Sequence, residues 1–530
     1  MQTSSALATG GMVATSHPLA TEAALEVLGA GGNAVDAALA AAAVTWVVLP
    51  MMCGPGGDAF ALVHDPRDGE VLGVGSGGMA PAAATPGWFK ERGHQLIPLY
   101  GPLSVGVPGA VGVMEELAER YGRLAFSEHF AAALRHADRG FPVSRSVAAH
   151  FANHAARLAA DPESSRIYGG VQEGSLLAQT DLARSIEAIA LGGARVLYRG
   201  SLGEAIAAYM RQAGGLLTFE DLAENRVDVY DPPSIDYRGN LIYQTAPPSQ
   251  GFVVLEELKI LESFDLASLP AGAEQTIHLM VEAKKLAVED RLAYAGDPRF
   301  VEWDLARLLS AEHAARRAAM IDRSVVRPSV AVPAVEGDTT YLCVVDREGF
   351  AVSFIHSLSA AFGAGVTVPG TGILLNNRVG RGFTLEPGHP NQLAPHKRTM
   401  STLNCYLVER DGKPTLVGGT PGGDGQVQWN LQVLSSLLDH GSDPQEAVSA
   451  PRWTHSPTTD PWTLDAAETL TVEDRVPETT LEGLRRRGHP VKVVGAWEAG
   501  GSAQVIAIDP ATGLLKGGSD PRGGGLALGR

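Results

Sequence analysis

The chain has 530 residues, is 45% hydrophobic and 19% charged, and carries a formal net charge of −17. This is globular composition with length enough for a large core. The acidic balance repels phosphate backbones, so nucleic acid is excluded as an expected partner. The opening MQTSSALATGGMVATSHPLA holds no Lys or Arg and no long apolar run, which argues against a secretory signal. The most apolar stretch, residues 34 to 50, is Ala-rich, contains Asp36 and ends at Pro50. It falls short of a span of ~20 apolar residues and reads as a buried helix. Cys53, Cys343 and Cys405 lie far apart, with no CxxC pair. Cys343 and Cys405 sit in apolar runs and read as buried free thiols, which fits a reducing compartment. The expectation is a soluble, cytoplasmic protein without a membrane partner.

In chain order, Thr21 is expected to cap a helix through Leu28, with Glu22 in its first turn. GAGGN (29 to 33) breaks that helix and a second starts at Ala34. AFALVHD and EVLGVG alternate as strands around a turn at Pro66 to Gly69. From about Gly109 to Leu191 the period is helical, and NLIYQTA later reads as a strand. Helices are predicted over Thr276 to Ala293, Leu305 to Ile321 and Val427 to Leu438. Between them RSVVRPSVAVPAVEGD has no regular period and reads as an exposed connection suited to cleavage. TTYLCVV and FAVSFIHSL then form an apolar hairpin buried on both faces.

Several motifs point nowhere by themselves. GVGSGG (73 to 78) matches G-x-G-x-x-G, but Pro81 spoils the following helix, so it reads as a flexible turn rather than a dinucleotide site. PGGD occurs at Pro55 to Asp58 and at Pro421 to Asp424, without a phosphate-loop ending. Either stretch is a tight turn or a row of backbone N–H groups able to hold an oxyanion. The 15 histidines show no metal-ligand spacing, and no metal or cofactor is expected. No G-x-S-x-G elbow is present.

EGDTTYLCVVD, residues 336 to 346, admits two readings. Threonines are ordinary at the start of a strand. Alternatively, a cut between Asp338 and Thr339 would give one residue both a hydroxyl nucleophile and an α-amino base. The reference pKa of such an amine, ~7.7–8.0, leaves a useful neutral fraction at physiological pH. Thr339 Oγ attacking the Asp338 carbonyl would make the cut, with Gly337 accepting backbone strain.

Ordered stretches along nearly the whole chain resemble the gamma-glutamyltransferase family of N-terminal-nucleophile hydrolases. They are MVATSHPLATEAALEVLGAGGNAVDAALAAA, residues 214 to 251, EAKKLAVEDRLAYAGDPRF, GDTTYLCVVDREGFAVSF, GILLNNR, KRTMSTLN, GGTPGGDGQ and SDPRGGGLALG. The resemblance implies an α+β, four-layer αββα fold. It implies a precursor cut before Thr339 into a large subunit, 1–338, and a small subunit, 339–530, that stay together as a heterodimer. It implies that Ser357 contacts the nucleophile, that Gly422 and Gly423 form the oxyanion hole, and that Ser401 and Thr402 meet the substrate carboxylate region.

The departures bear on specificity. Gly77 stands where the family has its glutamate-binding arginine, and Ser359 replaces an asparagine. Arg378 and Arg381 fall where Gln and Asp are expected. They are either guanidinium groups facing an anionic substrate without an amine, or surface residues paired with acids. The short segment from Gly388 to Lys397 implies that the lid of some members is missing. The expected function is a self-processing amide hydrolase or acyltransferase forming an acyl-enzyme on Thr339, acting on γ-glutamyl compounds of the glutathione type or related amides. The alternatives are an amidohydrolase for an oxamate-like or cephalosporin-acylase-like anionic amide, or a non-catalytic binding relative.

Overall fold

The computed structural model describes residues 2–328, 339–456 and 467–530. At its centre two seven-stranded sheets face each other. One runs in the order Leu526–Gly529, Gly11–Thr15, Thr340–Asp346, Ala351–Ser357, Asp58–Asp65, Glu70–Ser76 and Asp228–Tyr230. The other runs Ala6–Ala8, Leu515–Ser519, Gln504–Ile508, Lys413–Gly419, Cys405–Arg410, Asn240–Gln244 and Ser234–Tyr237. All recorded pairings in both sheets are antiparallel.

The period of two along each strand builds the layers. On Thr340–Asp346, Leu342 and Val344 pack on the helices Pro18–Gly29 and Ala34–Val48. Tyr341, Cys343 and Val345 point the other way, onto Cys405, Leu407 and Val417 of the second sheet. That sheet's outer residues, among them Tyr237, Ile242, Tyr406 and Val408, pack on the helices Gly251–Leu261, Glu274–Tyr294 and Gln426–Leu438. The result is the expected α+β, four-layer αββα sandwich. Because a helix layer or a sheet covers each face, the hairpin strands are buried at every position.

The Ala34–Val48 helix owes its start to a reciprocal cap. Asn33 Oδ1 accepts from Asp36 N at 3.0 Å, and Asp36 Oδ2 accepts from Asn33 N at 2.9 Å. Its alanines let it sit buried all round. The preceding helix starts earlier than expected. It spans Pro18–Gly29, with His17 Nδ1 accepting from Leu19 N at 3.2 Å, so Thr21 is interior rather than the cap. The Thr21 hydroxyl donates instead to Leu526 O at 2.9 Å. The segment predicted as one helix from 305 to 321 is two, Leu305–Leu308 and Ala311–Ala318, because Ser310 Oγ accepts from His313 N and caps the second.

The glycine-rich 73 to 78 stretch is not a loose turn. Gly73 and Gly75 lie inside the strand Glu70–Ser76. A Cβ there would come within 2.1 Å of the Tyr230 ring and 2.5 Å of the Phe60 ring, so the glycines make room for aromatic packing. Cys53, Cys343 and Cys405 are free and buried. Among the described residues, no helix is long and apolar enough to cross a membrane.

Candidate active site

Thr339 lies at the mouth of the central hairpin. Thr340 pairs with His356 across the ladder, which sets Thr339 beside Ser357. Thr339 Oγ1 donates to Ser357 Oγ at 3.2 Å, and Thr339 is 2% exposed. Ser357 Oγ also accepts from Ser359 N at 2.8 Å. Asp338 lies outside the described residues.

The chain after Ser357 turns sharply, with Ser359 at φ 86° and Phe362 at φ 57°. Non-glycine residues there are strained and persist only where surroundings hold them. Here Leu358 N and Phe362 N each donate at 2.8 Å, to Met52 O and Met51 O. Ala360 N donates to Asn377 Oδ1 at 2.9 Å, and Arg381 donates to Ser359 O at 2.8 Å. The Ser359 hydroxyl is buried and makes no hydrogen bond among the described residues. An unpaired buried hydroxyl costs about 1–3 kcal/mol, which a substrate group can recover. The first PGGD stretch lies against this turn. A Cβ on Gly57 would sit 2.5 Å from Ser357 O, so close backbone approach requires glycine there.

The second PGGD stretch opens the helix Gln426–Leu438. Gly422 has φ 120° and Gly423 φ 56°, so both need glycine's backbone freedom. A Cβ on Gly422 would meet Trp429 Cζ3 at 2.1 Å. The pair's carbonyls are tied down: Gly422 O accepts from Gly425 N at 3.1 Å, and Gly423 O accepts from Gln250 Nε2 at 3.2 Å. Gly422 and Thr339 line the same cavity, of about 530 Å³.

Gln250 was not singled out by sequence. Its Nε2 also donates to Thr402 O at 2.9 Å, and its N donates to Ser401 O at 2.8 Å. It therefore joins the Ser401–Thr402 pair to the glycine turn. Arg291, buried on Glu274–Tyr294, donates to Gln250 Oε1 and pairs with Asp424 Oδ1 at 2.8 Å. Nearby, burial, reinforced by Arg291, pushes the Lys284 ammonium down to about 7. Burial pushes the Glu257 carboxyl up to about 8.

Arg378 and Arg381 are both buried rather than on the surface. Arg378 Nε donates to Asp58 Oδ2 at 2.9 Å, and Gly78 N donates to Asp58 Oδ1 at 2.9 Å. Burial holds the Asp58 carboxyl above its ordinary value even with the Arg378 guanidinium beside it. A Cβ on Gly77 would lie 2.7 Å from Asp58 Cγ, and one on Gly78 2.0 Å from Arg378 Cγ. The space beside this loop is thus taken by a pair from elsewhere in the chain. The surface placement of the second reading is thus corrected, while its pairing with an acid holds for Arg378.

His356, next to Ser357, is wholly buried. Trp46 Nε1 donates to its Nδ1 at 3.3 Å, and its Nε2 is 3.0 Å from Thr45 Oγ1. The Thr45 hydroxyl spends its proton on Ala42 O, so it accepts from His356 Nε2–H and the ring is neutral. Burial pushes this imidazole down from 6.5 to about 3. The unfolded chain therefore binds a proton that the native state refuses as pH falls from 6.5 toward 3. Stability from this group is present above 6.5 and is lost below it. By linkage, the loss at pH 5 relative to pH 7 is about 2 kcal/mol at most. Urea midpoints are expected to fall over that interval, and less so in His356→Asn.

Two buried clusters carry metal-ligand chemistry on the described residues, His278–Glu282–His489 and Glu256–Asp290–His313. Each already contains a cation: Lys285 Nζ is 3.0 Å from Glu282, and Arg317 pairs with Asp290. His278 Nδ1 and His489 Nε2 also share a hydrogen bond of 2.8 Å.

The gamma-glutamyltranspeptidase family profile matches residues 20–529. The chain belongs to the gamma-glutamyltranspeptidase family. It is 38% identical over 531 residues to the Glutathione hydrolase-like YwrD proenzyme of Bacillus subtilis, with 99% of each chain covered. It is 35% identical over 537 residues to the Oxamate amidohydrolase proenzyme of Klebsiella pneumoniae, again with 99% of each covered. The crystal structure of cephalosporin acylase from Bacillus halodurans superposes with a TM-score of 0.92 at 36% identity, over 100% of this chain and 97% of that one. The protein is thus a self-processing N-terminal-nucleophile amidohydrolase or transferase. The non-catalytic alternative has no support in these relatives.

Proposed function

We propose that the precursor cuts itself between Asp338 and Thr339 and that the new N-terminal threonine then hydrolyses or transfers the acyl group of an amide. The observation that carries this reading is the Thr339 Oγ1 to Ser357 Oγ contact at 3.2 Å, beside a cavity that Gly422 also lines. In the cut form the α-amino group of Thr339 takes the hydroxyl proton as Oγ1 attacks the amide carbonyl. The Ser357 hydroxyl orients Oγ1, and the Gly422 and Gly423 N–H groups receive the oxyanion. The substrate C–N bond then breaks as its nitrogen takes the proton from the Thr339 ammonium and departs as the free amine, and water or an acceptor amine resolves the ester on Thr339.

On the acyl side, Ser359, Arg381, Ser401 and Thr402 are the proposed contacts. A γ-glutamyl group is not favoured. Gly77 offers no guanidinium for an α-carboxylate, and Arg378 is tied to Asp58. The names of the oxamate amidohydrolase and cephalosporin acylase among the relatives support related amides, beside a glutathione hydrolase-like relative. The buried thiols favour a reducing, cytoplasmic location.

The test is intact mass and fragment N-terminal sequencing, followed by turnover of a γ-glutamyl anilide beside glutaryl and oxamate-type amides. Fragments 1–338 and 339–530, with weak γ-glutamyl turnover, are expected. An active protein with an unbroken link before Thr339 would refute the mechanism. Gly422→Ala places a methyl in the Trp429 ring and strains the turn. It should lower kcat by about 10²–10³-fold with KM little changed, as for loss of an oxyanion donor.

A further inference from the structure

The cavity bordered by Thr339 differs in chemistry from the proposed acyl contacts. None of Ser359, Arg378, Arg381, Ser401 and Thr402 lines it. Its wall is built largely from Leu19, Leu49, Met51, Met52, Pro142 and Val147. Among the described residues of the wall there is no Asp, Glu or Lys. Its one guanidinium, Arg522, is consumed by buried pairs. It meets Glu473 at 2.7 Å and Asp520 at 2.9 Å, and it donates to Ala450 O at 2.7 Å.

Two histidines line the cavity, His17 and His150, and His17 is held neutral. His17 caps the Pro18–Gly29 helix through Nδ1, and burial, with His136 nearby, pushes its imidazole down to about 4. Besides Thr339 the wall holds the hydroxyls of Ser16, Ser144, Ser146 and Ser502; Ser16 Oγ donates to Tyr341 O, and Ser144 caps the helix Arg145–Asn153 by accepting from Val147 N. The volume falls within the range of about 300–1,000 Å³ typical of small-molecule sites, far more than water or ammonia needs. A charged group entering it would lose hydration and meet no carboxylate or lysine on the described wall.

We propose that this cavity binds an uncharged, largely apolar substituent of the scissile amide, carried on its acyl or its amine side. This rests on Thr339 as the nucleophile and adds the class of group placed next to it.

The experiment uses the full-length protein after its mass shows the cut. One arm holds p-nitroaniline as the amine and lengthens a straight acyl chain from acetyl to octanoyl. The other holds the acyl group and lengthens an n-alkylamine from methyl to hexyl. In one arm kcat/KM should rise about three- to fourfold per added methylene until the cavity is full. A rise in the first arm seats the acyl group there, and a rise in the second seats the amine. Val147→Asp should flatten the rising series and favour substituents bearing an ammonium. If it fails to fold, Met52→Gln should flatten the same series by half or more.

Turnover that is indifferent to length in both arms overturns the inference and leaves the amide hydrolase standing. The same holds if charged substituents are preferred, or if the rising series keeps its slope in both variants. A cut protein that turns over no amide overturns both.

Discussion

Thr339→Ala should run as a single 530-residue chain on a denaturing gel, and its amide turnover should fall by at least about 10⁴-fold. Both losses follow from one atom. Oγ1 is the group proposed to attack the peptide carbonyl before Thr339 and later the substrate carbonyl, and the α-amine that serves it exists only after the first attack. Folding should be spared. The side chain is buried but makes one recorded hydrogen bond, to Ser357, whose Oγ keeps its bond from Ser359 N. Intact mass, with circular dichroism as the control, checks the result. Thr339→Ser keeps the hydroxyl and should still cut, more slowly. Cutting at the same bond in Thr339→Ala would assign that step to another group.

Arg291→Met is expected to cost about 3–5 kcal/mol of stability, because it takes from the buried Asp424 carboxylate its guanidinium partner at 2.8 Å. The cost should be far smaller in Arg291→Met combined with Asp424→Asn, which removes both charges and keeps the volume. Activity should fall in the single variant beyond what the loss of folded protein explains. Arg291 holds Gln250, and Gln250 holds Gly423 O and Thr402 O together. A positional effect on an oxyanion donor shows in kcat and spares KM. Denaturant midpoints for the four members of the cycle, with kcat measured on each, check both parts. A single variant as stable as the parent would show that Asp424 is satisfied elsewhere.

Much of the fold was legible because the helices and central strands obey period rules without competition. The Thr340–Asp346 and Ala351–Ser357 strands are apolar on both faces, and both faces are indeed covered. The misplaced cap at Thr21 shows where local signals compete. Threonine is a good cap in isolation, but Pro18 is preset for the first helical turn and His17 can accept before it. Inside the periodic stretch from 305 to 321 the apolar period runs on through Ser310, yet its hydroxyl caps a new helix there. Thr339, Ser357 and the glycine turn were found through ordered motifs. Gln250, Arg291 and Asp58 were missed because their importance lies in partners remote in sequence. Arg378 and Asp58 are 320 positions apart, and no local pattern shows that they meet.

The order of strands has a consequence for the fragments. In the first sheet Gly11–Thr15 lies between Leu526–Gly529 and Thr340–Asp346, and Ala351–Ser357 pairs with Asp58–Asp65. In the second, Asn240–Gln244 pairs with Cys405–Arg410, and Ala6–Ala8 with Leu515–Ser519. Segments from before and after the proposed scissile link are thus woven into both ladders. Pulling the pieces apart would strip hydrogen-bonded neighbours from each and leave bare, sticky margins that invite clumping. If the chain is cut before Thr339 as proposed, folding would come first, and the two polypeptides would stay together by mutual wrapping instead of by a covalent tether.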